Sequence, residues 1–225
     1  HTVKLFDTTI YNKIEYDNKI IVKDAELEKA EKLNVRPVKK TKIEIKNLET
    51  SPFEDLEELI KDFKPEFLGL SCTEDMWELG SALLNHIKKY KVKTIAGGVF
   101  PTFSPDIVLK SGLADWVCKG EGEDALVELL NRIKINKSWK DIPNLCFLEN
   151  GEVKCNPTKV IDMDENPTID VKLFDQKRYY RPMSGSMYKM FPVETHRGCP
   201  YKCTFCNSPS QLTMYKSETK TNQLR

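Results

Sequence analysis

The sequence predicts an α/β protein whose first 135 residues form a doubly wound parallel sheet. Short apolar runs alternate there with amphipathic stretches at helical spacing, and this order places helices on both faces of a parallel sheet. Small or polar residues follow the apolar runs, as they do where a strand turns into a helix. After residue 135 the alternation stops, so we expect a different architecture in the rest of the chain.

The predicted elements follow one another along the chain. Apolar runs predict four strands, at residues 3–6, 65–71, 92–96 and 115–118. Apolar side chains three or four positions apart predict helices from Pro52, across residues 76–87 and across residues 126–133, and a shorter helix is expected at residues 105–111. Residues 12–50 are rich in Lys and Glu, and we interpret them as an insertion with one short helix and a strand at residues 42–45.

Residues 136–190 are predicted to form a hairpin and an interdomain connector. Asn150-Gly151 separates the apolar runs 145–148 and 153–155 and supplies the positive φ angles of a tight turn. The connector carries scattered prolines and charges. A strand is predicted at residues 191–195, and residues 191–225 are interpreted as the start of a second domain.

The overall charge excludes some partners. Thirty-five Lys and Arg nearly cancel thirty-four Asp and Glu, so no global field favours nucleic acid or a membrane surface. No apolar run is long enough to span a bilayer. The first residues read as a strand and not as a signal peptide, so we expect a cytoplasmic protein.

The seven cysteines fall into two groups. An odd count without a secretory signal argues against a disulfide framework and favours a metal or redox role for a close cluster. Three of them lie within eight residues. The remaining four lie mostly in apolar runs and are interpreted as small buried hydrophobes: Cys72, Cys118, Cys146 and Cys155.

The close cluster is Cys199-Pro-Tyr-Lys-Cys203-Thr-Phe-Cys206, with the spacing Cys-x3-Cys-x2-Cys. Three thiolates on one short loop can bind three irons of a cubane cluster and leave the fourth iron open to another ligand. Gly198 and Pro200 suit a sharp turn around such a cluster. Zinc could also bind here, but structural zinc sites use four ligands in paired spacing. A ferredoxin cluster would have a shorter spacing and a fourth cysteine, and the three thiols could also be unrelated.

Residues 195–206, Thr-His-Arg-Gly-Cys-Pro-Tyr-Lys-Cys-Thr-Phe-Cys, resemble the signature of the radical S-adenosylmethionine (SAM) superfamily. The resemblance implies a [4Fe-4S] cluster on Cys199, Cys203 and Cys206. It also implies that the open iron binds SAM, that reductive cleavage gives a 5′-deoxyadenosyl radical, and that Phe205 packs near the adenine. Residues 191–225 would then begin a partial TIM barrel.

Three strand ends upstream are rich in small residues. In open α/β sheets ligands bind at the carboxyl ends of the strands, although each glycine taken singly is explained by a tight turn. Together, residues 68–71, 95–102 and 115–123 resemble the Rossmann-like or flavodoxin-like cobalamin-binding domain that precedes the barrel in class B radical SAM enzymes. By that resemblance the nucleotide tail would lie near Ser71 and Thr73. The corrin would lie along Gly97, Gly98, Val99 and Thr102, and the edge would be closed by Gly120, Glu121, Gly122 and Glu123.

The chain departs from that family in two ways. The motif Asp-x-His-x-x-Gly, whose His binds cobalt in related domains, does not occur, and His86 is expected to be a surface or boundary residue in a helix. Residues 3–6 resemble the family's second strand, although they could instead be its first. We therefore expect the sequence to be a fragment at both ends, with the cobalamin-binding domain at residues 1–135 and most of the barrel missing. The catalytic residues cannot be placed on this fragment, and we expect it to be inactive alone.

The resemblance implies a cobalamin-dependent radical SAM enzyme, with methyl transfer to an unactivated carbon as the leading reaction. A radical SAM cyclase or rearrangement enzyme of the same class and a non-catalytic cofactor-binding or electron-transfer module are the alternatives. The expected partners are a small-molecule or natural-product substrate and an external electron donor such as flavodoxin or ferredoxin. No nucleic acid or membrane partner is expected.

Overall fold

A computed structural model describes residues 2–11, 13–23, 48–184 and 186–219. The chain divides into two compact units, which are described separately. The first comprises His1–Lys64, Ala82–Lys89 and Thr168–Val193, and the second comprises Pro65–Ser81, Tyr90–Pro167 and Glu194–Arg225. The strand predicted at residues 42–45 lies outside the described residues.

The regular elements have the following bounds. The strands are β1 (Lys13–Tyr16), β2 (Lys19–Lys23), β3 (Phe67–Ser71), β4 (Lys93–Gly97), β5 (Trp116–Cys118), β6 (Leu145–Glu149), β7 (Glu152–Cys155), β8 (Tyr180–Met183) and β9 (Ser186–Lys189). The helices are α1 (Pro52–Phe63), α2 (Trp77–Ile87), α3 (Val99–Phe103), α4 (Pro105–Lys110), α5 (Glu123–Lys134) and α6 (Ser208–Thr219). Among the described residues, no helix is both long and apolar enough to cross a membrane.

The second unit is built on a five-stranded sheet with the order β3-β4-β5-β6-β7. The first three strands are parallel, and Ser71 pairs with Gly97, so that their carboxyl ends meet at one edge. The hairpin β6–β7 continues the sheet in the antiparallel sense, with Asn150 and Gly151 at positive φ in its turn. The predicted hairpin is therefore confirmed, and the sheet is mixed.

Helices cover both faces of this sheet. Trp116 and Cys118 point to one face and belong to a buried cluster with Leu129 of α5. Val117, between them in sequence, points to the opposite face and packs with Val108 and other residues of α4, because successive side chains of a strand alternate. The doubly wound α/β class predicted from the sequence is thus confirmed.

The first unit contains two hairpins and α1. The β1–β2 turn is formed by Asp17 and Asn18, both at positive φ, and the β8–β9 hairpin follows Tyr179. Tyr16 stacks on Phe53 of α1 with ring centroids 5.0 Å apart. The sequence patterns predict neither hairpin.

The prediction of a strand is wrong for two segments. Residues 3–6 and 191–195 have no strand structure, and Val3 and Val193 are 59% and 78% exposed. An apolar run becomes a strand only when a neighbouring strand accepts its backbone hydrogen bonds and a core covers one face. Neither condition can be read from these short runs themselves.

The cysteines outside the loop behave in two ways. Cys72 and Cys118 are buried free thiols, as predicted, and burial raises their pKa to about 11 and about 12, with the Glu123 charge adding to the shift of Cys118. Cys146 is fully buried, as predicted, whereas Cys155 is exposed, and neither of the two is a free thiol. They lie opposite each other in β6–β7 and form a disulfide.

Reduction of this disulfide is expected to lower the free energy of unfolding by about 2–3 kcal/mol, because a short closed loop is released in the unfolded chain. Urea unfolding with and without a thiol reductant measures the difference. Cys155→Ser should have the same stability under both conditions. A wild-type protein whose stability is unaffected by the reductant would contradict the prediction.

Candidate functional site

The carboxyl ends of β3 and β4 approach each other at Gly98. Its φ is +95°, and a Cβ there would lie 2.8 Å from the carbonyl oxygen of Cys72 and 3.2 Å from the Ser71 hydroxyl. Only glycine combines this left-handed conformation with such a close main-chain approach. A Cβ at Gly97, in contrast, would have its nearest neighbour, the Cβ of Cys118, at 3.8 Å, an ordinary van der Waals contact, so this position has room for a methyl group.

The end of β5 is tied to β4 through Thr102. The Thr102 hydroxyl accepts a hydrogen bond from the Gly120 N–H at 3.0 Å and donates to the Gly98 carbonyl oxygen at 2.8 Å. Thr102 is buried, so these two bonds fix the turn at Gly97-Gly98 relative to the turn at residues 120–122. These two turns together are called the glycine-rich edge. The role of Thr102 that the structure shows is internal, and a contact with a corrin ring stays a prediction.

A cleft of about 400 Å³ opens beside these turns. Seven of the ten residues predicted to contact cobalamin line it, while Ser71, Thr73 and Gly97 do not. The Thr73 hydroxyl instead donates to Asp75 at 2.5 Å. The lining residues are Gly98, Val99, Thr102, Gly120, Glu121, Gly122, Glu123, Glu194, Arg197, Gly198, Gln211, Met214 and Tyr215.

The second half of that lining comes from the cysteine-loop segment and α6, which sequence reasoning missed. Gln211, Met214 and Tyr215 have helical spacing, and this was the available signal. The Tyr215 hydroxyl fills the space above Gly120, where a Cβ would lie 2.7 Å from its oxygen. Helix α6 therefore packs on a position that only glycine can occupy, since Gly120 also has a φ of +82°.

Arg197, from the Arg-Gly-Cys-Pro motif, forms the main electrostatic link across the cleft. Its guanidinium lies 2.6 Å from Glu123 and 3.4 Å from Glu121, and it also pairs with Glu194 at 3.1 Å. Burial opposes both charges, but their hydrogen bond and mutual attraction raise the pKa of Arg197 and lower that of the Glu123 carboxyl. Both groups are therefore ionised at neutral pH.

Glu218 forms a second link from α6. Its carboxylate lies 2.5 Å from the Lys119 ammonium group and accepts hydrogen bonds from the hydroxyl and the N–H of Thr158, the latter at 3.1 Å. Although burial raises its pKa, the bonds to Lys119 and Thr158 outweigh burial and lower the pKa of Glu218 below its ordinary value of 4.5.

This link is expected to weaken in acid. Because the pKa of Glu218 is lower in the folded protein, its bonds stabilise the fold above about pH 4.5 and are lost as the pH falls below that value. Glu218→Gln should cost about 0.5–1 kcal/mol of unfolding free energy at neutral pH, and the difference from wild type should shrink as the pH falls below about 4.5. Urea unfolding of both proteins across this range is the measurement. A difference that does not change with pH would contradict the assignment.

The three loop cysteines lie on an irregular segment after Gly198, whose φ is +103°. Cys199 is half-buried, Cys203 and Cys206 are exposed, and Phe205 is 92% exposed. Hydrogen bonds with the Ser208 hydroxyl and N–H lower the pKa of the Cys206 thiol. Within the described residues no three Cys, His, Asp or Glu side chains converge as a metal site.

The donor set nevertheless fits an iron–sulfur cluster. Three thiols stand on one short exposed segment that no helix or strand holds apart, and thiolates are the ligands of such clusters. The glycine-rich edge fits a large flat cofactor in one respect, because its bare backbone allows close approach. His86 does not lie at this edge. It belongs to the first unit, where it pairs with Glu57 at 2.9 Å, as expected for a boundary residue.

Comparisons with known proteins agree with the fold and this edge. Residues 36–130 match the family model of the B12 binding domain, including residues 36–50 of the region interpreted as an insertion. An uncharacterized methyltransferase of Pyrococcus horikoshii is 29% identical over 71% of this chain and 35% of its own length. An anaerobic magnesium-protoporphyrin IX monomethyl ester cyclase of Synechocystis is 26% identical over 50% of this chain and 22% of its own.

A solved structure shares the fold. The cobalamin-dependent SAM radical enzyme OxsB, with aqua-cobalamin and SAM bound, has a TM-score of 0.54 and 24% identity over 68% of this chain and 21% of that one. The chain thus spans about a third or less of the length of the relatives it matches.

Residues 36–130 therefore match a B12 binding domain, and 68% of the chain shares the fold of a cobalamin-dependent SAM radical enzyme. These matches confirm the resemblance found in the sequence.

Proposed function

We propose that the protein at its full encoded length is a cobalamin-dependent radical SAM enzyme that cleaves SAM reductively and transfers a methyl group to an unactivated carbon. One observation carries the proposal. The Cys-x3-Cys-x2-Cys loop follows a B12-binding domain and is joined to its glycine-rich edge through Arg197 and Glu123. When bound, the cluster supplies the electron for SAM cleavage and cobalamin supplies methyl-transfer chemistry.

The chain's own residues have distinct roles in this proposal. Cys199, Cys203 and Cys206 hold the cluster as thiolates and leave one iron free for SAM. Phe205, which is almost fully exposed, is available to cover the adenine. The bare backbone of the glycine-rich turns receives the corrin, while Thr102 keeps those turns together.

A second candidate reaction is radical cyclisation. It is favoured by the similarity to the magnesium-protoporphyrin IX monomethyl ester cyclase, which extends over 50% of this chain. In either case the proposal requires a small-molecule substrate and an external one-electron donor of the flavodoxin or ferredoxin type.

Isotope-labelled SAM distinguishes these reactions. The full-length protein, purified without oxygen and reduced, is given SAM with a labelled methyl group in an extract of small molecules. Label in a product, together with 5′-deoxyadenosine, supports methyl transfer. Formation of 5′-deoxyadenosine with no transferred label would replace it with cyclisation or rearrangement. Zinc without iron in the purified protein would overturn both.

A further inference from the structure

Arg197 binds two carboxylates, Glu121 and Glu123, which are called the anchor. The Glu121 side chain is only 7% exposed, and its second carboxylate oxygen accepts the Ile161 N–H at 2.8 Å. Glu123 is the first residue of α5, where the helix dipole favours a negative charge. Each of these two carboxylates after β5 is thus favoured by an interaction that does not involve Arg197.

The guanidinium that binds this anchor stands two residues before the first loop cysteine. Gly198, between Arg197 and Cys199, has a φ of +103° and turns the chain sharply. The position of Cys199 is thus fixed by where the Arg197 side chain is held. Only arginine offers several N–H donors in one plane, and these match the three carboxylates around it.

We propose that Arg197 is a positioning residue, which fixes the cysteine loop to Glu121 and Glu123 so that the loop and the glycine-rich edge are joined before any cofactor binds. The proposal deepens the proposed function, because it assigns a residue that sets the relation between the two cofactor regions. The anchor consists only of side chains of this chain, so it can be tested in protein prepared without iron, SAM or cobalamin.

The apo protein gives the first test. Endoproteinase Lys-C cleaves after Lys202, inside the loop, and does not recognise arginine, so Arg197→Gln leaves its sites unchanged. Loss of the anchor is expected to speed cleavage after Lys202 roughly three- to tenfold, the effect of losing a partly exposed charged contact. Cleavage after Lys137, in the loop that follows α5, is the internal reference and should not change.

Matched variants separate positioning from general destabilisation. Arg132→Gln removes an arginine that pairs with Glu128 and Asp141 and donates to the Ser138 carbonyl, away from the cleft. It should speed cleavage after the neighbouring Lys137 and leave Lys202 cleavage at the wild-type rate. The double variant Arg197→Gln/Glu123→Gln should be cleaved no faster than Arg197→Gln alone, since both changes break one link.

The second measurement uses protein loaded with the iron–sulfur cluster and follows the rate of iron loss. The Arg197→Gln variant should lose iron to a chelator several-fold faster than wild type and Arg132→Gln. Unchanged cleavage at Lys202 in Arg197→Gln, or equal acceleration at Lys202 and Lys137, would overturn the proposal. A wild-type protein that binds no iron would overturn the proposed function instead, and the apo experiment would still decide on the anchor.

Discussion

Replacing Cys203 by alanine is expected to remove the iron–sulfur cluster and to abolish reductive cleavage of SAM. Cys203 is the middle thiol of the loop and is exposed, so its loss removes one of three cluster ligands with little effect on packing. A cubane held by two thiolates has two open irons and does not persist under purification. The expected iron content falls from about four atoms per chain to nearly none.

Cys72→Ala is the matched control for this change. Cys72 is a buried free thiol outside the loop, and its variant should keep the iron content and visible absorption of the wild type. Iron analysis and the visible spectrum of both variants, purified without oxygen, measure the effect. Full iron content in Cys203→Ala, or equal loss in both variants, would show that the loop is not the ligand set.

Gly98→Ala is expected to lower the stability of the protein more than Gly151→Ala or Gly69→Ala does. The new Cβ would lie 2.8 Å from the Cys72 carbonyl oxygen, and a φ of +95° is unfavourable for alanine. Strain and overlap together should lower the free energy of unfolding by about 3 kcal/mol. Because the strain lies at the ends of β3 and β4, affinity for cobalamin should fall as well.

Alanine substitutions at two other glycines separate the cost of a positive φ from the cost of the close main-chain contact. Gly151 has a φ of +83° but open space around it, so Gly151→Ala measures the conformational term alone, about 1 kcal/mol. Gly69 has neither a close neighbour nor an unusual φ, and Gly69→Ala should be nearly neutral. Urea unfolding of the three variants is the measurement. If Gly98→Ala costs no more than Gly151→Ala, the close main-chain approach at Gly98 is wrong.

The alternating core of the sheet could be predicted from the sequence because each element carries its own signal. Apolar side chains at helical spacing located α1, α2 and α5, and apolar runs between them located β3, β4 and β5. The glycines after those strands predicted the edge that the cleft occupies. These signals are local, so they need no knowledge of the tertiary structure.

The parts that failed depend on distant partners. The runs at residues 3–6 and 191–195 lack a strand to pair with, and Arg197 meets carboxylates far away in the sequence. Helix α6 was missed because its face toward the cleft is partly polar, with Gln211 and Glu218 among its contacts. The disulfide was predictable in principle, since a two-residue turn at Asn150-Gly151 places Cys146 opposite Cys155.

A single preparation shows whether one protein holds both a SAM-cleaving cluster and cobalamin. The full-length protein is purified without oxygen, loaded with iron, sulfide and cobalamin, and assayed for both absorption signatures and for 5′-deoxyadenosine after reduction with SAM. We expect about four irons and one corrin per chain, with 5′-deoxyadenosine formed. Zinc in place of iron, or cluster absorption without any retained corrin, would contradict it.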